Sequence, residues 1–269
     1  MFANKPALLD LDFTLTTYHQ LLQALKSNGF AFQLFEDYMH QPELRTVVLR
    51  HDVDKWPHYA LKMARLEHAK GIRGTYYFRC MPASWDESVM RQIAEMGHEI
   101  GYHYEDLTLV DGDHGQAIRH FEQQLSRLRE LYPVKTICMH GSPRSRYDSR
   151  DLWKHYNYRD FGIIGEPYFD LDFSRVFYLT DTGRRWDGWK VSVRDKVTQQ
   201  QEWINQGLVF RSTMDIINAI EQDRFPAQAM ITIHPQRWTD SPLPWAKELV
   251  FQNIKNLGKA ALIKLRKQA

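Results

Sequence analysis

The sequence predicts an α/β fold in which a largely parallel sheet or barrel is covered by helices. Strand-like apolar runs alternate with segments of helical periodicity, and no repeat or long Gly/Ser linker interrupts the 269 residues. The strand-like runs hold consecutive apolar residues, which is typical of strands covered on both faces. Carboxylates or histidines follow several of these runs directly. In parallel α/β folds, functional side chains collect at these carboxyl ends of strands.

The first predicted helix covers residues 13–28, where leucines recur at helical spacing. A strand follows at 46–52 and leads into the sequence Arg-His-Asp-Val-Asp. Because side chains alternate along a strand, Asp52 and Asp54 point to the same side, which suits a catalytic base and a metal ligand. Capping of the next helix is their alternative role. His51 points to the opposite side, where a structural hydrogen bond is favoured over a ligand role.

Helices and strands continue to alternate along the rest of the chain. The next predicted helix and strand pairs are 57–70 with 75–78, 86–96 with 98–103, and 115–131 with 135–139. The pattern is completed by extended segments at 168–173 and 176–179, a helix near 213–222 and a strand at 229–233. Three strands end at a histidine, namely His103, His140 and His234. His98 is interpreted as structural.

Length and composition favour a single catalytic domain. With 269 residues and 43% hydrophobic content, the chain can bury a full core. We expect an N-terminal helical extension over 1–45, the barrel over 46–240, and a C-terminal helix over 241–269 that packs on the barrel. Basic and acidic side chains nearly balance, 35 against 33, which argues against a nucleic-acid-binding protein held mainly by phosphate contacts.

The sequence also predicts a cytoplasmic protein without a transmembrane segment. The N-terminus lacks the long apolar stretch of a signal peptide, and no run approaches about 18 apolar residues. Cys80 and Cys138 do not form a CxxC pair, which fits a reducing compartment. Residues 246–269 combine lysines with apolar side chains. A packing helix with a solvated basic face is favoured there, and weak contact with a membrane surface is the alternative.

The carboxylates and histidines at the strand ends indicate a divalent metal site with an open coordination position. Zinc accepts imidazole and carboxylate ligands, and such a set leaves room for a water molecule. A metal-bound water, a carboxylate base and a separate imidazole acid are together typical of hydrolases. The sequence has no GxSxG, Walker A, GxGxxG or HExxH motif, so the serine hydrolase, nucleotide-dependent and zincin classes lack support.

Four segments of the chain resemble the motifs of a known enzyme family. They are Arg50-His51-Asp52-Val53-Asp54, Gly74-Thr75-Tyr76-Tyr77-Phe78, Gly97-His98-Glu99-Ile100-Gly101-Tyr102-His103 and Ile231-Thr232-Ile233-His234-Pro235. Their order and spacing resemble the polysaccharide deacetylase (NodB-homology, carbohydrate esterase family 4-like) family, including its branch associated with O-antigen and other surface-polysaccharide gene clusters. The resemblance spans residues 46–238 and implies an incomplete (β/α) barrel. It also implies Asp52 as catalytic base, His234 as general acid, and Asp54 and His103 as metal ligands.

One metal ligand is missing from its expected place. In the family a second metal histidine usually lies four residues after the first, but Leu107 occupies that position here. His140 is the first choice for the third ligand, because a neighbouring strand end can bring its imidazole close to His103. Glu105 is the second choice, since zinc also accepts a carboxylate oxygen.

The catalytic base also lacks its usual partner. The family's third motif usually supplies an arginine near the base, and residues 139–143 contain none. Arg144 or Arg79 is expected to take its place, unless the base is unassisted.

A group of charged and aromatic side chains late in the chain suits recognition of a sugar or an anion. The predicted substrate-binding residues are Asp181, Arg184, Arg185, Trp186, Arg237 and Trp238. Arginine grips a carboxylate or phosphate through two hydrogen bonds, and tryptophan can stack on a sugar face. A surface turn with a salt bridge is an equally weighted alternative for the first four, and a core position is the alternative for Trp238.

We therefore expect a metal-dependent deacetylase that hydrolyses an N-acetyl (amide) group on a sugar in surface-polysaccharide (O-antigen) biosynthesis. Its partner would be an acetylated sugar or glycan precursor. Its cofactor would be one divalent metal, with zinc ahead of cobalt, nickel, iron and manganese. A catalytically inactive carbohydrate-binding module on the same fold is the main alternative. A haloacid-dehalogenase-like phosphatase that uses Asp10 and Asp12 is a remote alternative.

Overall fold

The computed structural model of the chain describes residues 11–142, 145–190, 192 and 197–268. The strands of this part are β1 (Ala31–Gln33), β2 (Thr46–Val53), β3 (Thr75–Phe78), β4 (Glu99–Tyr104), β5 (Ile137–Met139), β6 (Phe177–Thr180) and β7 (Gln228–Ile233). Its α-helices are α1 (Leu15–Ser27), α2 (Phe35–His40), α3 (His58–His68), α4 (Glu87–Glu95), α5 (Asp106–Leu109), α6 (His114–Arg129), α7 (Pro167–Asp170), α8 (Gln200–Asn205), α9 (Thr213–Glu221) and α10 (Pro242–Gln268). Short 3₁₀ turns lie at Ser149–Lys154, Tyr158–Phe161, Gly188–Lys190 and Pro235–Arg237.

The strands form a curled half-barrel with helices around it. They are hydrogen-bonded in the order β5-β4-β3-β2-β7-β6, and β1 pairs with the first half of β2. Every pairing is parallel. Within the described residues β5 and β6 do not pair with each other, so the barrel stays open between them. The predicted α/β class and incomplete (β/α) barrel are confirmed.

Strand β2 lies at the centre of the sheet and is buried along its whole length. It pairs with β3 through residues 50–53 and with β7 through residues 46–51. Because the strands all run in the same direction, their carboxyl ends meet at one edge of the sheet. Asp52 near the end of β2, His103 near the end of β4 and His234 just after β7 therefore lie at the same edge.

Two clusters of buried apolar side chains form the core. One joins α1 and α9 to the sheet and includes Leu21, Ile217 and Ile231. The other joins α4 and α6 to the sheet and includes Ile93 and Phe121. Each buried Leu, Ile or Phe side chain contributes on the order of 1.5–3 kcal/mol relative to an exposed one. These clusters hold in place the strands that carry the candidate site.

Most elements begin and end within a few residues of the predicted positions. Strand β3 matches the prediction at both ends, and β2 extends one residue further, to Val53. The segment 168–173 differs, because its first residues belong to α7. Pro167 occupies the first turn of that helix, and the Glu166 side chain accepts a hydrogen bond from the Tyr168 N–H (2.6 Å). A proline and a capping carboxylate start a helix there in spite of the apolar run.

The segment predicted as a helical extension, residues 1–45, also contributes β1 to the sheet. Thr14 caps α1, because its hydroxyl accepts a hydrogen bond from the Thr17 N–H (3.0 Å). Asp12 accepts hydrogen bonds from the backbone N–H (2.9 Å) and the hydroxyl of Thr213 at the start of α9. The segment is thereby tied to the barrel. Asp10 lies outside the described residues.

The C-terminal helix α10 contacts the barrel through its first half. Trp245 Nε1 donates to the Asp12 carbonyl (2.8 Å), and the Trp245 carbonyl accepts a hydrogen bond from Arg184 (2.8 Å). Further along, Asn256 donates to the Gly183 carbonyl (2.9 Å). Among the helices of the described residues, none has both the length and the apolar character needed to cross a membrane. The predicted domain boundaries stay a prediction.

Candidate active site

Strand β2 supplies the first part of the candidate site. Asp52 is buried, and its carboxylate accepts two hydrogen bonds from Arg50, at 2.8 Å (Nε–Oδ1) and 2.7 Å (Nη2–Oδ2). Burial opposes the charge of Arg50, but the Asp52 carboxylate raises the pKa of the guanidinium well above its ordinary value. The two residues lie two positions apart on one strand and hence on one face. This spacing is a signal in the sequence that our prediction did not use.

Arg50 therefore takes the place that we expected Arg144 or Arg79 to fill. Arg144 lies outside the described residues. Arg79 binds Glu105 instead, with Nε at 2.6 Å and Nη2 at 2.5 Å from Oε1. The structure corrects this expectation because the arginine beside Asp52 comes from the strand of Asp52 itself.

Asp54, His103 and His140 bring three potential ligand atoms together. Asp54 Oδ1 lies 3.1 Å from His140 Nδ1 and 3.6 Å from His103 Nε2, and these two ring nitrogens are 3.3 Å apart. All three atoms lie within 4.8 Å of one another, a spacing that lets them share one cation. His103 Nδ1 donates to the Cys138 carbonyl (2.9 Å), so that Nε2 is left with a lone pair.

The surroundings of Asp54 fit a bound cation. Its Oδ1 atom is buried and accepts no hydrogen bond from the described residues. Burial by itself would raise the pKa of Asp54, but the imidazoles of His140, His103 and His234 hold that pKa well below its usual range. An ionised carboxylate and two imidazoles form a donor set that suits zinc with an open fourth position. The residues present therefore fit a divalent metal.

The distances favour His140 over Glu105 as the third member of this set. The nearest oxygen of Glu105 lies 3.9 Å from His140 Nε2, and its other oxygen is bound by Arg79. A carboxylate next to a ligating imidazole is the usual arrangement for orienting the ring. Glu105 lies beyond hydrogen-bonding distance of His140, and which residue binds the metal stays a prediction.

His103 also belongs to a second group of potential ligands, with Asp52 and Cys138. In that group the carboxylate is already held by two hydrogen bonds from Arg50. The group around Asp54 therefore offers the better cation site.

The predicted acid, His234, is held by a buried carboxylate. His234 Nδ1 donates to Asp181 Oδ1 (2.6 Å), and the His234 backbone N–H donates to Oδ2 (3.0 Å). Burial acts to raise the pKa of Asp181, but Arg237 and His234 together lower it. Since Nδ1 is engaged, Nε2 faces the cluster and lies 3.9 Å from Asp54 Oδ2. Asp181 was predicted to contact substrate; it is fully buried and positions His234 instead.

The structure also corrects the predicted sugar contacts of two tryptophans. Trp186 and Trp238 are 2% and 0% exposed, and they pack against Phe13 with ring centroids 5.9 and 5.1 Å away. Their indole N–H groups donate to Thr213 (2.9 Å) and Asp181 (2.8 Å). Neither ring offers an open face to a sugar. Burial of an indole among charged neighbours could not be read from the local sequence.

The predicted arginines have partners within the protein. Arg237 donates to Asp181 Oδ1 (2.7 Å), and Arg185 forms an ion pair with Asp187 (2.5 Å). Arg184 donates to a backbone carbonyl of α10 (2.8 Å). Substrate contacts of these three residues stay a prediction.

Two exposed aromatic rings near the site were not predicted. Trp56, two residues after Asp54, is 47% exposed, and Phe251 of α10 is 45% exposed. Lys55 Nζ lies 3.7 Å from the Trp56 ring centroid and 5.6 Å from that of Phe251, and Lys255 Nζ lies 4.2 Å from the Phe251 ring. We call these four residues the aromatic rim. No pattern in the sequence predicts that Trp56 and Phe251 come close together, because they lie far apart in the chain.

The histidines interpreted as structural lie in a buried network. His51 Nε2 lies 2.8 Å from Glu67 Oε1, which also accepts a hydrogen bond from Tyr18 (2.7 Å). The other Glu67 oxygen accepts from Tyr76 (2.9 Å), and His98 Nδ1 accepts a backbone hydrogen bond (3.0 Å). Both structural interpretations are confirmed.

Comparisons with known proteins give solved structures only, since no family model and no curated protein matches the sequence. A wild-type CE4 family pseudoenzyme from Bacillus anthracis is 12% identical, with 81% of this chain and 63% of that chain covered and a TM-score of 0.45. A family 4 carbohydrate esterase from Bacillus anthracis is 12% identical (85% and 96% covered, TM-score 0.41). A family 4 carbohydrate esterase from Streptomyces lividans, in complex with acetate, is 13% identical (79% and 90% covered, TM-score 0.38). The chain thus spans less than two thirds of the length of the pseudoenzyme.

Proposed function

We propose that this protein is a metal-dependent deacetylase that hydrolyses an N-acetyl group on a sugar. The observation that carries the proposal is a cluster of potential metal ligands with a carboxylate and an imidazole beside it. His103 Nε2 lies 3.6 Å from Asp52 Oδ2, and Asp54 Oδ2 lies 3.9 Å from His234 Nε2. A base and an acid are thus both within reach of the cluster, as amide hydrolysis requires.

The residues around the cluster have separate tasks in this mechanism. Asp54, His103 and His140 would hold a divalent metal, which when bound would polarise the acyl carbonyl and lower the pKa of a water molecule. Asp52, kept in place by Arg50, accepts the proton of the attacking water. His234 Nε2 donates a proton to the amine nitrogen as the carbon–nitrogen bond breaks. The products are acetate and a free amino sugar.

We place the sugar against the aromatic rim. Trp56 and Phe251 are about half exposed, with a lysine ammonium over one face of each ring, and an apolar face with a polar edge is the surface on which a sugar ring stacks. The buried indoles of Trp186 and Trp238 cannot serve this purpose.

The biological setting of the proposal rests on the sequence resemblance and composition. We propose that the substrate is an acetylated precursor of a surface polysaccharide such as O-antigen, and that the reaction takes place in the cytoplasm before export. Deletion of the gene should alter the acetylation of the surface polysaccharide, measured by NMR of the purified glycan. An unchanged glycan, or detection of the native protein outside the cytoplasm, would contradict this setting.

Release of acetate from N-acetylated sugars is the experiment that tests the reaction. We expect activity that is lost after treatment with a chelator and restored by zinc or another divalent metal. Metal binding without any acetate release from a broad panel of N-acetylated sugars would favour the inactive carbohydrate-binding module. Absence of bound metal after reconstitution would overturn the mechanism.

A further inference from the structure

A basic pocket lies between the loop after β6, the start of α9 and the middle of α10. Its volume is about 430 Å³, within the range of small-molecule sites. Its lining includes Asn256, one carboxylate and four cationic side chains. The carboxylate is Asp187, and the cations are Arg184, Arg185, Lys190 and Arg211. The pocket therefore carries an excess of positive charge.

Asp187 neutralises only part of this charge. It binds Arg185 (2.5 Å) and Lys190 (2.9 Å), and these partners keep its pKa low, at about 2, although burial acts to raise it. Arg211 binds Asp215 through its backbone N–H, while its side chain lines the pocket. With Arg184 this leaves two guanidiniums for an incoming anion.

Arg184 is the second observation that indicates a ligand. Its side chain is nearly buried, at 6% exposure, and its Nη1 donates to the Trp245 carbonyl (2.8 Å). The other two nitrogens, Nε and Nη2, are buried and have no hydrogen-bond partner within the described residues. A buried donor without a hydrogen-bond partner lowers the stability of the folded state, so such donors normally bind a protein group, a water molecule or a ligand. Burial lowers the pKa of Arg184 to about 10, although the carboxylates of Glu248 and Asp12 act to raise it.

The unpaired atoms are the two donors that a guanidinium uses to bind an oxyanion. Nε and Nη2 form the edge of the guanidinium fork that binds two oxygens of one phosphate or carboxylate side by side. Arg184 is held in the left-handed backbone region (φ 58°), and its guanidinium lies over the Trp245 ring at 4.3 Å, so the fork has little freedom. A fixed fork and a second guanidinium favour phosphate, which presents more oxygens and more charge than a carboxylate.

We propose that this pocket binds the phosphate group of a phosphate-bearing ligand, with Arg184 as the bidentate contact and Arg211 as the second cation. The volume exceeds that of a single phosphate and leaves room for an attached sugar or a second phosphate. The phosphate site is independent of the proposed deacetylation, because it includes none of the potential metal ligands Asp54, His103 and His140. The pocket is nevertheless linked to them, since the Arg184 backbone N–H donates to the carbonyl of Asp181 (2.8 Å).

Titration of the full-length protein with inorganic pyrophosphate, followed by calorimetry, tests the proposal. We expect saturable binding with Kd of about 1 mM or tighter, weakened at least about fivefold in Arg211→Gln and in Arg184→Lys. Arg184→Lys keeps the charge but loses the fork, and Arg211→Gln changes an exposed side chain. Arg119→Gln, an exposed arginine on α6, is the matched control and should bind like the wild type.

Binding that is unchanged in Arg211→Gln, or equally weakened in Arg119→Gln, would overturn the proposal. Pyrophosphate would then be attracted nonspecifically by the positive charges of the protein surface. Saturable binding is measured without turnover, so its outcome is independent of whether the protein deacetylates sugars. Two sources of the phosphate can then be told apart. If it belongs to the substrate, an N-acetylated sugar phosphate should be deacetylated with a lower KM than the free sugar, and Arg211→Gln should remove that advantage. If it belongs to a separate ligand, pyrophosphate should bind without competing with the substrate.

Discussion

Asp181 accepts hydrogen bonds from three side chains, His234, Arg237 and Trp238, all within 2.6–2.8 Å. Arg237 and Trp238 hold the carboxylate in place, and the carboxylate in turn orients the imidazole of His234. A carboxylate bound to Nδ1 orients the ring and stabilises the imidazolium, the form that carries on Nε2 the proton to be donated. The proposed acid function of His234 therefore depends on a residue that is itself fully buried.

Replacement of Asp181 tests this dependence. Asp181→Asn removes the negative charge that stabilises the imidazolium of His234, so we expect kcat to fall by about 10²–10⁴ with little change in KM. The measurement is acetate release, together with its pH profile. A double variant with His234→Ala should be no slower than His234→Ala alone. If the losses of kcat in the two single variants add up in the double variant, Asp181 acts independently of His234. Asp223→Asn is the control: Asp223 is a surface carboxylate paired with Arg45, so its replacement should leave the rate unchanged.

The metal ligands can be tested independently of activity by elemental mass spectrometry. We expect about one divalent metal per chain in the wild type and a loss of most of it in Asp54→Ala, His103→Ala and His140→Ala. Glu105→Gln should keep the metal, because its carboxylate binds Arg79 and lies 3.9 Å from His140 Nε2. Loss of metal in Glu105→Gln with retention in His140→Ala would reverse the assignment of the third ligand.

At this scale the sequence predicted which residues meet but not how each is held. Asp52, Asp54, His103 and His234 come together because strand ends carry them, and strand ends can be recognised in a sequence. The partner of each side chain is less accessible. Arg50 could have been found from its two-residue spacing to Asp52, whereas the pairing of Asp181 with His234 depends on β6 and β7 being neighbours.

Among the elements, the strands with strong local signals were the easiest to predict. Strand β3 consists of Thr75-Tyr76-Tyr77-Phe78, all β-branched or aromatic, and it has the predicted bounds. Strand β1 has three residues and forms only because it can pair with Thr46–Val48 of β2, so its own sequence carries little signal. Glu166 followed by Pro167 indicates the start of helix α7, but the apolar residues after them led to the prediction of an extended segment.

The link between the N-terminal segment and α9 makes a prediction about stability. Asp12→Ala removes the acceptor for the Thr213 backbone N–H and hydroxyl at the start of the helix. We expect the free energy of unfolding to fall by about 1–2 kcal/mol, as for the loss of a capping residue. Urea unfolding measures this, and Asp172→Ala, whose carboxylate binds Ser174 within one turn, is the control.

The same variant separates the phosphatase alternative from the deacetylase. Acetate release per folded molecule should be unchanged in Asp12→Ala, because its carboxylate is engaged with α9. A phosphatase activity in the wild type that disappears in Asp12→Ala would restore the alternative.

Across the whole molecule, the two ends of the sheet have different electrostatics. The carboxyl end gathers the cluster around Asp54. Toward the amino end, Glu99 at the start of β4 is fully buried and accepts hydrogen bonds from Thr75 (2.7 Å), the Glu36 backbone N–H (3.1 Å) and the Thr136 hydroxyl. Burial raises the pKa of Glu99 to about 7, although these hydrogen bonds act to lower it. A composition that nearly balances acids and bases gives no indication of such a difference between the two ends.

Glu99 should make the stability of the protein fall as the pH rises. The pKa of Glu99 is about 7 in the folded chain, against an ordinary value of 4.5, so the folded state binds this proton more tightly than the unfolded state. The resulting stabilisation is complete below pH 4.5, and it is lost as the pH rises to about 7. Relative to Glu99→Gln, which mimics the protonated form, the wild type should lose up to about 3 kcal/mol between about pH 5 and about pH 8. Urea unfolding at both pH values measures the difference, and Glu95→Gln on the exposed face of α4 should show none. A wild type that keeps its stability relative to Glu99→Gln over this range would mean that Glu99 stays ionised in the fold.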